Sequence, residues 1–292
     1  MNLFQNTNIK FIQKKKIAYL LSGILITAGI ISMIIKGGPN WGIDFTGGAL
    51  VQINFTEAVT NDEVRTGLET IGFSNVTLQR FVGSNVVIFR LQQSAQVTGP
   101  LMETLKTNMN KNFVVERIEM VGPAVGIWLV KRAALAFSFA FLGIICYVAI
   151  RFKGGVWGVA GVLALIHDVL IVVGIFSILN KEITLPVVAA LMTLVGYSIN
   201  DTIVIYDRIR ENLRVRYKEA KEKVFNDSIN QTLSRTVITS GTTLVTVLAL
   251  FLFGGKVIHD FSLVLLLGVI VGTYSSIFVA SPIVYDWKNR SK

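Results

Sequence analysis

The sequence predicts a polytopic α-helical membrane protein, six transmembrane helices with one ferredoxin-like α+β extracytoplasmic domain set between the first two. Three observations predict it. Of the 292 residues 52% are hydrophobic and only 16% charged, and the mean hydropathy of +0.60 lies far from that of an ordinary soluble domain. Apolar runs of spanning length recur along the chain, with Lys and Arg crowding the short segments beside them, as the positive-inside rule expects. One polar stretch interrupts these runs, and its periodicities read βαββαβ.

Taken in order, residues 1–16 are a cytoplasmic N-terminus in which Lys10, Lys14, Lys15 and Lys16 fix the side. The run 17–35 is a retained first span. It exceeds the usual signal-peptide core of about 7–15 residues, and Ile34-Ile35-Lys36 offers no small-x-small cleavage site. Residues 36–126 then lie outside as a periplasmic domain. Ala49 to Phe55 alternates as a strand, and Thr60 opens a helix to Ile71 with Glu63 at capping-box spacing. Val76 to Val82 and Val86 to Leu91 are β-rich around a Gly83-Ser84-Asn85 turn, Gly99-Pro100 opens a helix to Asn110, and Phe113 to Met120 is the last strand. That order is the split ferredoxin-like arrangement, which needs no ligand or metal for stability. The domain has no histidine or cysteine and its carboxylates are spaced as solvated faces, so it reads as a binding or positioning element.

The remaining spans are 127–150, with Lys131 and Arg132 able to snorkel at its outer end, 156–179, 183–206, 237–253 and 261–285. Residues 207–236 carry eight Lys and Arg among Ile209, Leu213, Val224, Ile229 and Leu233 and read as a cytoplasmic amphipathic helix on anionic lipid. Residues 286–292 end the chain in the cytoplasm. This topology accounts for the formal net charge of +10, so nucleic acid is not an expected partner. The single cysteine, Cys146, lies in an apolar run, which excludes an intrachain disulfide and makes it a packed thiol.

Polar residues at membrane depth are costly and mark function by default. The foremost is Asp201, in the stretch LVGYSINDTIVIYDRIREN from Leu194 to Asn212, where Gly196, Ser198, Asn200 and Thr202 suit close helix packing. The bland alternative is a solvated carboxylate at the cytoplasmic end of its span. His167 and Asp168 on the third span are either a hydrogen-bonded tie between spans or part of a proton relay. Arg235, in Thr232–Thr236 (TLSRT), enters the fifth span; burial and a nearby arginine pull a carboxyl's proton affinity in opposite directions, so a carboxylate between them can load and release a proton. In WGIDFTGG, Trp41 to Gly48, Asp44 either caps a turn made by Thr46, Gly47 and Gly48 or contacts a partner.

The order and spacing of WGIDFTGG, His167-Asp168, the Leu194–Asn212 stretch and TLSRT resemble the SecF family of bacterial protein-export subunits over essentially the whole chain. The resemblance implies a pairing with SecD in a pseudo-symmetric twelve-span assembly of RND-exporter architecture. It implies work with the SecYEG channel on unfolded preproteins after the ATP-driven SecA step, using the proton-motive force, with YajC and YidC as further partners. It implies the bacterial inner membrane, Asp201 and Arg235 as the proton-pathway residues with Asn200, His167 and Asp168 in lesser roles, and no cofactor beyond a coupling ion, H⁺ or Na⁺. On the residues alone, a passive assembly subunit and half of an RND-type exporter for small molecules stay open. An intramembrane peptidase is less suited, since neither a paired-carboxylate motif nor HExxH is present.

Overall fold

Long runs of Leu, Ile, Val and Ala free of Pro and charge favour helices whose only stable surroundings are lipid or each other. The computed structural model describes residues 7–73, 76–80, 85–91 and 99–290, and six helices in it are long and apolar enough to cross a membrane. The chain divides into two units, Met1–Asn40 with Leu135–Lys292, and Trp41–Ala134.

The first unit is the helical bundle. It contains α1 (Lys15–Ile35), α6 (Gly155–Ile178), α7 (Leu185–Val215), α8 (Lys221–Phe253) and α9 (Gly255–Ser275). A five-residue π-helical segment, Ser276–Ala280, joins α9 to α10 (Ser281–Arg290). A 30-residue helix, α5 (Pro123–Phe152), links the two units in sequence. The core side chains include Leu165, Val195, Ile205, Tyr206, Ile209, Phe225 and Ile229. Small residues set the helix spacing: a Cβ added at Gly29 of α1 would stand 2.6 Å from Gly174 Cα of α6, so only glycine at both positions permits the approach.

The second unit is built on a four-stranded sheet in the order β2-β3-β1-β4 with every neighbouring pair antiparallel. Its strands are β1 (Gly48–Phe55), β2 (Val76–Arg80), β3 (Val86–Leu91) and β4 (Phe113–Val121). Alternation on β1 buries Ala49, Val51, Ile53 and Phe55 against Val64 and Leu68 of α3 (Asn61–Thr70) and Met102 and Leu105 of α4 (Gly99–Met109). This is the ferredoxin-like α+β domain. The Thr60 hydroxyl accepts from Glu63 N at 3.2 Å while the Glu63 carboxylate accepts from Thr60 N at 2.7 Å, closing the capping box. Donation from Thr60 N, and from the Thr60 hydroxyl at 3.0 Å, holds the Glu63 carboxyl below the usual carboxylate range. Residues 81–84, which include part of the expected hairpin turn and the end of the expected second strand, lie outside the described residues.

One element differs from the sequence reading. Residues 207–236 do not form a separate surface helix: α7 continues to Val215, a short link follows, and α8 begins at Lys221. The reason is packing, because Ile209 from α7 and Val224, Phe225 and Ile229 from α8 are fully buried, which carries both spanning helices onward as one antiparallel hairpin. The link is closed by Arg216, whose guanidinium bonds Glu219 at 2.6 and 2.7 Å and Asp227 at 2.5 Å. The guanidinium, with help from Lys223, holds the Glu219 carboxyl down to about 2. The other spanning helices also begin or end a few residues from the boundaries expected, α5 by extending from Pro123 to Phe152 and the last span by starting near Val257 and running to Arg290.

Candidate functional site

The polar residues of α7 recur at helical spacing, so Ser198, Asp201 and Thr202 share its buried face. Asp201 is 3% exposed, and this overturns the solvated alternative. Ser240 of α8 donates to Asp201 Oδ2 at 3.1 Å, and Thr273 of α9 stands 2.7 Å from Ser240 Oγ. Thr239 of α8 directs its hydroxyl to Arg235 O at 2.9 Å and Thr236 O at 3.0 Å. Arg235 itself is exposed on α8, and no ion pair joins it to Asp201 among the described residues. Asn200 and Gly196 fall on the exposed side of α7, away from the carboxylate.

The second buried carboxylate, Asp168, is wholly enclosed. Ser198 and Ser275 both donate to its Oδ2, at 2.6 and 2.8 Å, and His167 Nδ1 lies 2.9 Å from its Oδ1. An imidazole that donates from Nδ1 accepts at Nε2, where Ser22 Oγ of α1 stands at 2.8 Å. Tyr274 OH donates to Ala18 O at 2.7 Å and lies beside Ser22 Oγ at 3.0 Å. One network therefore joins α1, α6, α7 and α9. Gly272 makes it possible, since a Cβ there would meet the Ser198 side chain at 3.0 Å. The π-helical turn leaves carbonyls without their regular donors, and two are taken up: Tyr206 OH donates to Ala280 O at 3.2 Å and Ser281 Oγ to Ser276 O at 2.8 Å.

Sequence reasoning singled out both carboxylates and His167 but passed over Ser22, Ser240, Thr273, Tyr274 and Ser275. The available signal was a hydroxyl at each of these places in an otherwise apolar helix. Among the described residues no group of three His, Cys, Asp or Glu is placed to hold a metal ion.

The WGIDFTGG stretch lies in the second unit as a short helix, α2 (Ile43–Thr46), with Gly42 at its N-cap and Asp44 in its first turn. Thr46 Oγ1 bonds Gly42 O at 3.2 Å and Gly47 O at 3.1 Å. Gly47 and Gly48 have φ of 73° and 120°, a region glycine alone enters freely. A Cβ on Gly47 would stand 2.9 Å from Pro123 Cα, and one on Gly126 would stand 2.6 Å from Phe45 O. The paired glycines thus let the motif close around the start of α5.

Six helices long and apolar enough to cross a membrane, two carboxylates buried among hydroxyls within them, and a ferredoxin-like domain as the second unit define a multi-pass membrane protein. The family described as protein export membrane protein SecD/SecF, C-terminal, matches residues 101–290, and the SecD/SecF GG motif matches residues 31–59. A protein translocase subunit SecF from Endomicrobium trichonymphae is 41% identical over 296 residues, covering 100% of this chain and 95% of its own. Another from Escherichia coli O157:H7 is 44% identical over 272 residues, covering 90% and 83%. The crystal structure of SecDF, a translocon-associated membrane protein from Thermus thermophilus, superposes with a TM-score of 0.90 at 39% identity over 99% of this chain. The chain spans 40% of that SecDF polypeptide. This chain belongs to the SecD/SecF family of protein export membrane proteins, as a SecF-type translocase subunit.

Proposed function

We propose that this chain is the ion-coupled half of a SecD-containing export complex of the bacterial inner membrane, which draws preproteins through SecYEG after the SecA step by using the proton-motive force. YajC and YidC are further partners in this reading, and the basic end of the bundle faces the cytoplasm. One observation carries it: Asp201 is buried at the meeting of α7, α8 and α9, bonded to the Ser240 hydroxyl, which Thr273 backs, and to no cation among the described residues. Hydroxyls donate to a carboxylate and accept from a carboxylic acid. They therefore accommodate both protonation states, which a carrier of protons requires and a fixed ion pair would prevent. In this reading Arg235, exposed on the neighbouring helix, favours the charged state of the carboxylate when the helices shift.

The test is late-stage preprotein translocation into inverted membrane vesicles, with and without an imposed proton gradient, at matched amounts of assembled complex. Asp201→Asn keeps size and hydrogen bonding but removes the titratable group, so gradient stimulation should vanish while assembly is normal. Arg235→Lys keeps the charge and loses the planar fork; it should lower stimulation in part. Full stimulation by the Asn variant would leave this chain a scaffold, and replacing the proton gradient by a sodium gradient identifies the coupling ion.

A further inference from the structure

Along α8 the hydroxyl residues Ser228, Thr232, Thr236 and Ser240 recur every fourth position, and all four are buried. Asn212 donates to Ser228 Oγ at 2.8 Å near one end of the row, and Ser240 meets Asp201 at the other. These two bonds fix an antiparallel register between α7 and α8. It sets Thr236 opposite Ile205 and Thr232 opposite Ile209.

Thr236 departs from its neighbours. A threonine in an apolar helix ordinarily satisfies its hydroxyl on the carbonyl four residues back, and Thr232, Thr239, Thr242, Thr243 and Thr246 all do so at 2.9 to 3.2 Å. The Thr236 hydroxyl does not. It is 1% exposed and its oxygen has no hydrogen-bond partner. A buried unmatched hydroxyl costs free energy, so the residue is poorly explained as packing, where valine fills the same volume without that cost.

We propose that the Thr236 hydroxyl is the station through which Asp201 exchanges its proton with the basic end of the bundle, by way of water admitted between α7 and α8. This rests on Asp201 being the proton carrier. The Asp201 carboxylic acid transfers its proton to a water held by Thr236, giving a carboxylate and a hydronium, and the hydronium passes the proton on along the row towards Ser228 and Asn212. No other bond is made or broken. Ile205 and Ile209, both buried on the opposite helix, keep the interval dry in the arrangement seen, so passage requires α7 and α8 to part there. The closed state blocks leakage.

The experiment compares Thr236→Val, Thr236→Ser and Asp201→Asn in the full complex, by gradient-stimulated translocation into inverted vesicles and by thermal melting. Thr236→Val should lower gradient stimulation about tenfold or more, Thr236→Ser should restore it, and the melting temperature of the valine variant should be unchanged or raised. Full stimulation with valine, while Asp201→Asn abolishes it, overturns the station and leaves the carrier in place. Stimulation that survives Asp201→Asn overturns the carrier reading itself. A valine variant that melts lower and transports less only in proportion to lost assembly makes Thr236 structural, which also overturns the proposal.

Discussion

Two buried carboxylates on adjacent helices stand in different hydrogen-bonding company. Asp168 is saturated, with two hydroxyls on one oxygen and a histidine on the other, whereas Asp201 has one hydroxyl donor, Ser240, on one oxygen. Asp168 therefore fits a tie between helices. Asp168→Asn can keep one oxygen facing Ser198 and Ser275, so it should lower stability by about 1–2 kcal/mol or less and leave gradient stimulation intact. Asp168→Leu strands three buried polar groups at about 1–3 kcal/mol each, and the complex should fail to accumulate. Melting and translocation of the two variants check this; an Asn variant that assembles yet loses stimulation would move Asp168 into the proton path. The pair His167-Asp168 was legible because a charge in an apolar run is conspicuous. Its partners were not, since Ser22 and Ser275 are separated from it by 145 and 107 residues and a serine in a membrane helix is otherwise unremarked.

At the scale of elements, local chemistry was legible wherever it was self-sufficient. The Thr60–Glu63 capping box and the alternation of β1 each depend on residues a few positions apart, and each stands where the pattern placed it. The hairpin of α7 and α8 was misread because basic residues suggested a surface helix, while the contacts of Ile209 with the α8 side come from tertiary packing. The segment Gly42 to Pro123 should fold alone, with mixed α/β circular dichroism and a cooperative melt. Within it Thr60→Ala should cost about 1 kcal/mol. The sign of its pH dependence follows from the lowered Glu63 carboxyl: its contribution is present above the unfolded carboxylate range and is lost as pH falls through the folded value. Thermal melts of the parent and Thr60→Ala segments at neutral and acid pH read both effects, and an unchanged melt for the variant would remove the cap from the account.

For the whole molecule, one end of the bundle gathers the basic residues. Ile9 N and Ile12 N donate to Asn230 and Asn226 at 3.0 and 2.9 Å, Lys15 pairs with Asp286, and Lys221 bonds Lys288 O. Lys and Arg beside membrane spans are enriched on the cytoplasmic side in membrane proteins generally. In a variant with Cys146 replaced by serine, cysteines at Thr56 and Lys223 should therefore react with an impermeant maleimide from opposite sides of the membrane; labelling from one side would refute the six-span topology. The number of spans was legible from hydropathy, but the way the ends are stitched together was not, because asparagines that cap another segment's backbone carry no distinguishing pattern. The π-helical turn at Ser276–Ala280 bears on that stitching as a setting of phase. A regular helix advances about 100° per residue, so the wide turn holds one residue in reserve and thereby fixes the rotational aim of everything after it. Were the same residues wound as a regular α-helix instead, α10 would keep its composition, yet Asp286 would point about 100° from Lys15 and Tyr206 would lose its carbonyl. Every side chain of α10 could be correct in kind and wrong in direction, which makes spacing, more than residue identity, the inherited property of this stretch.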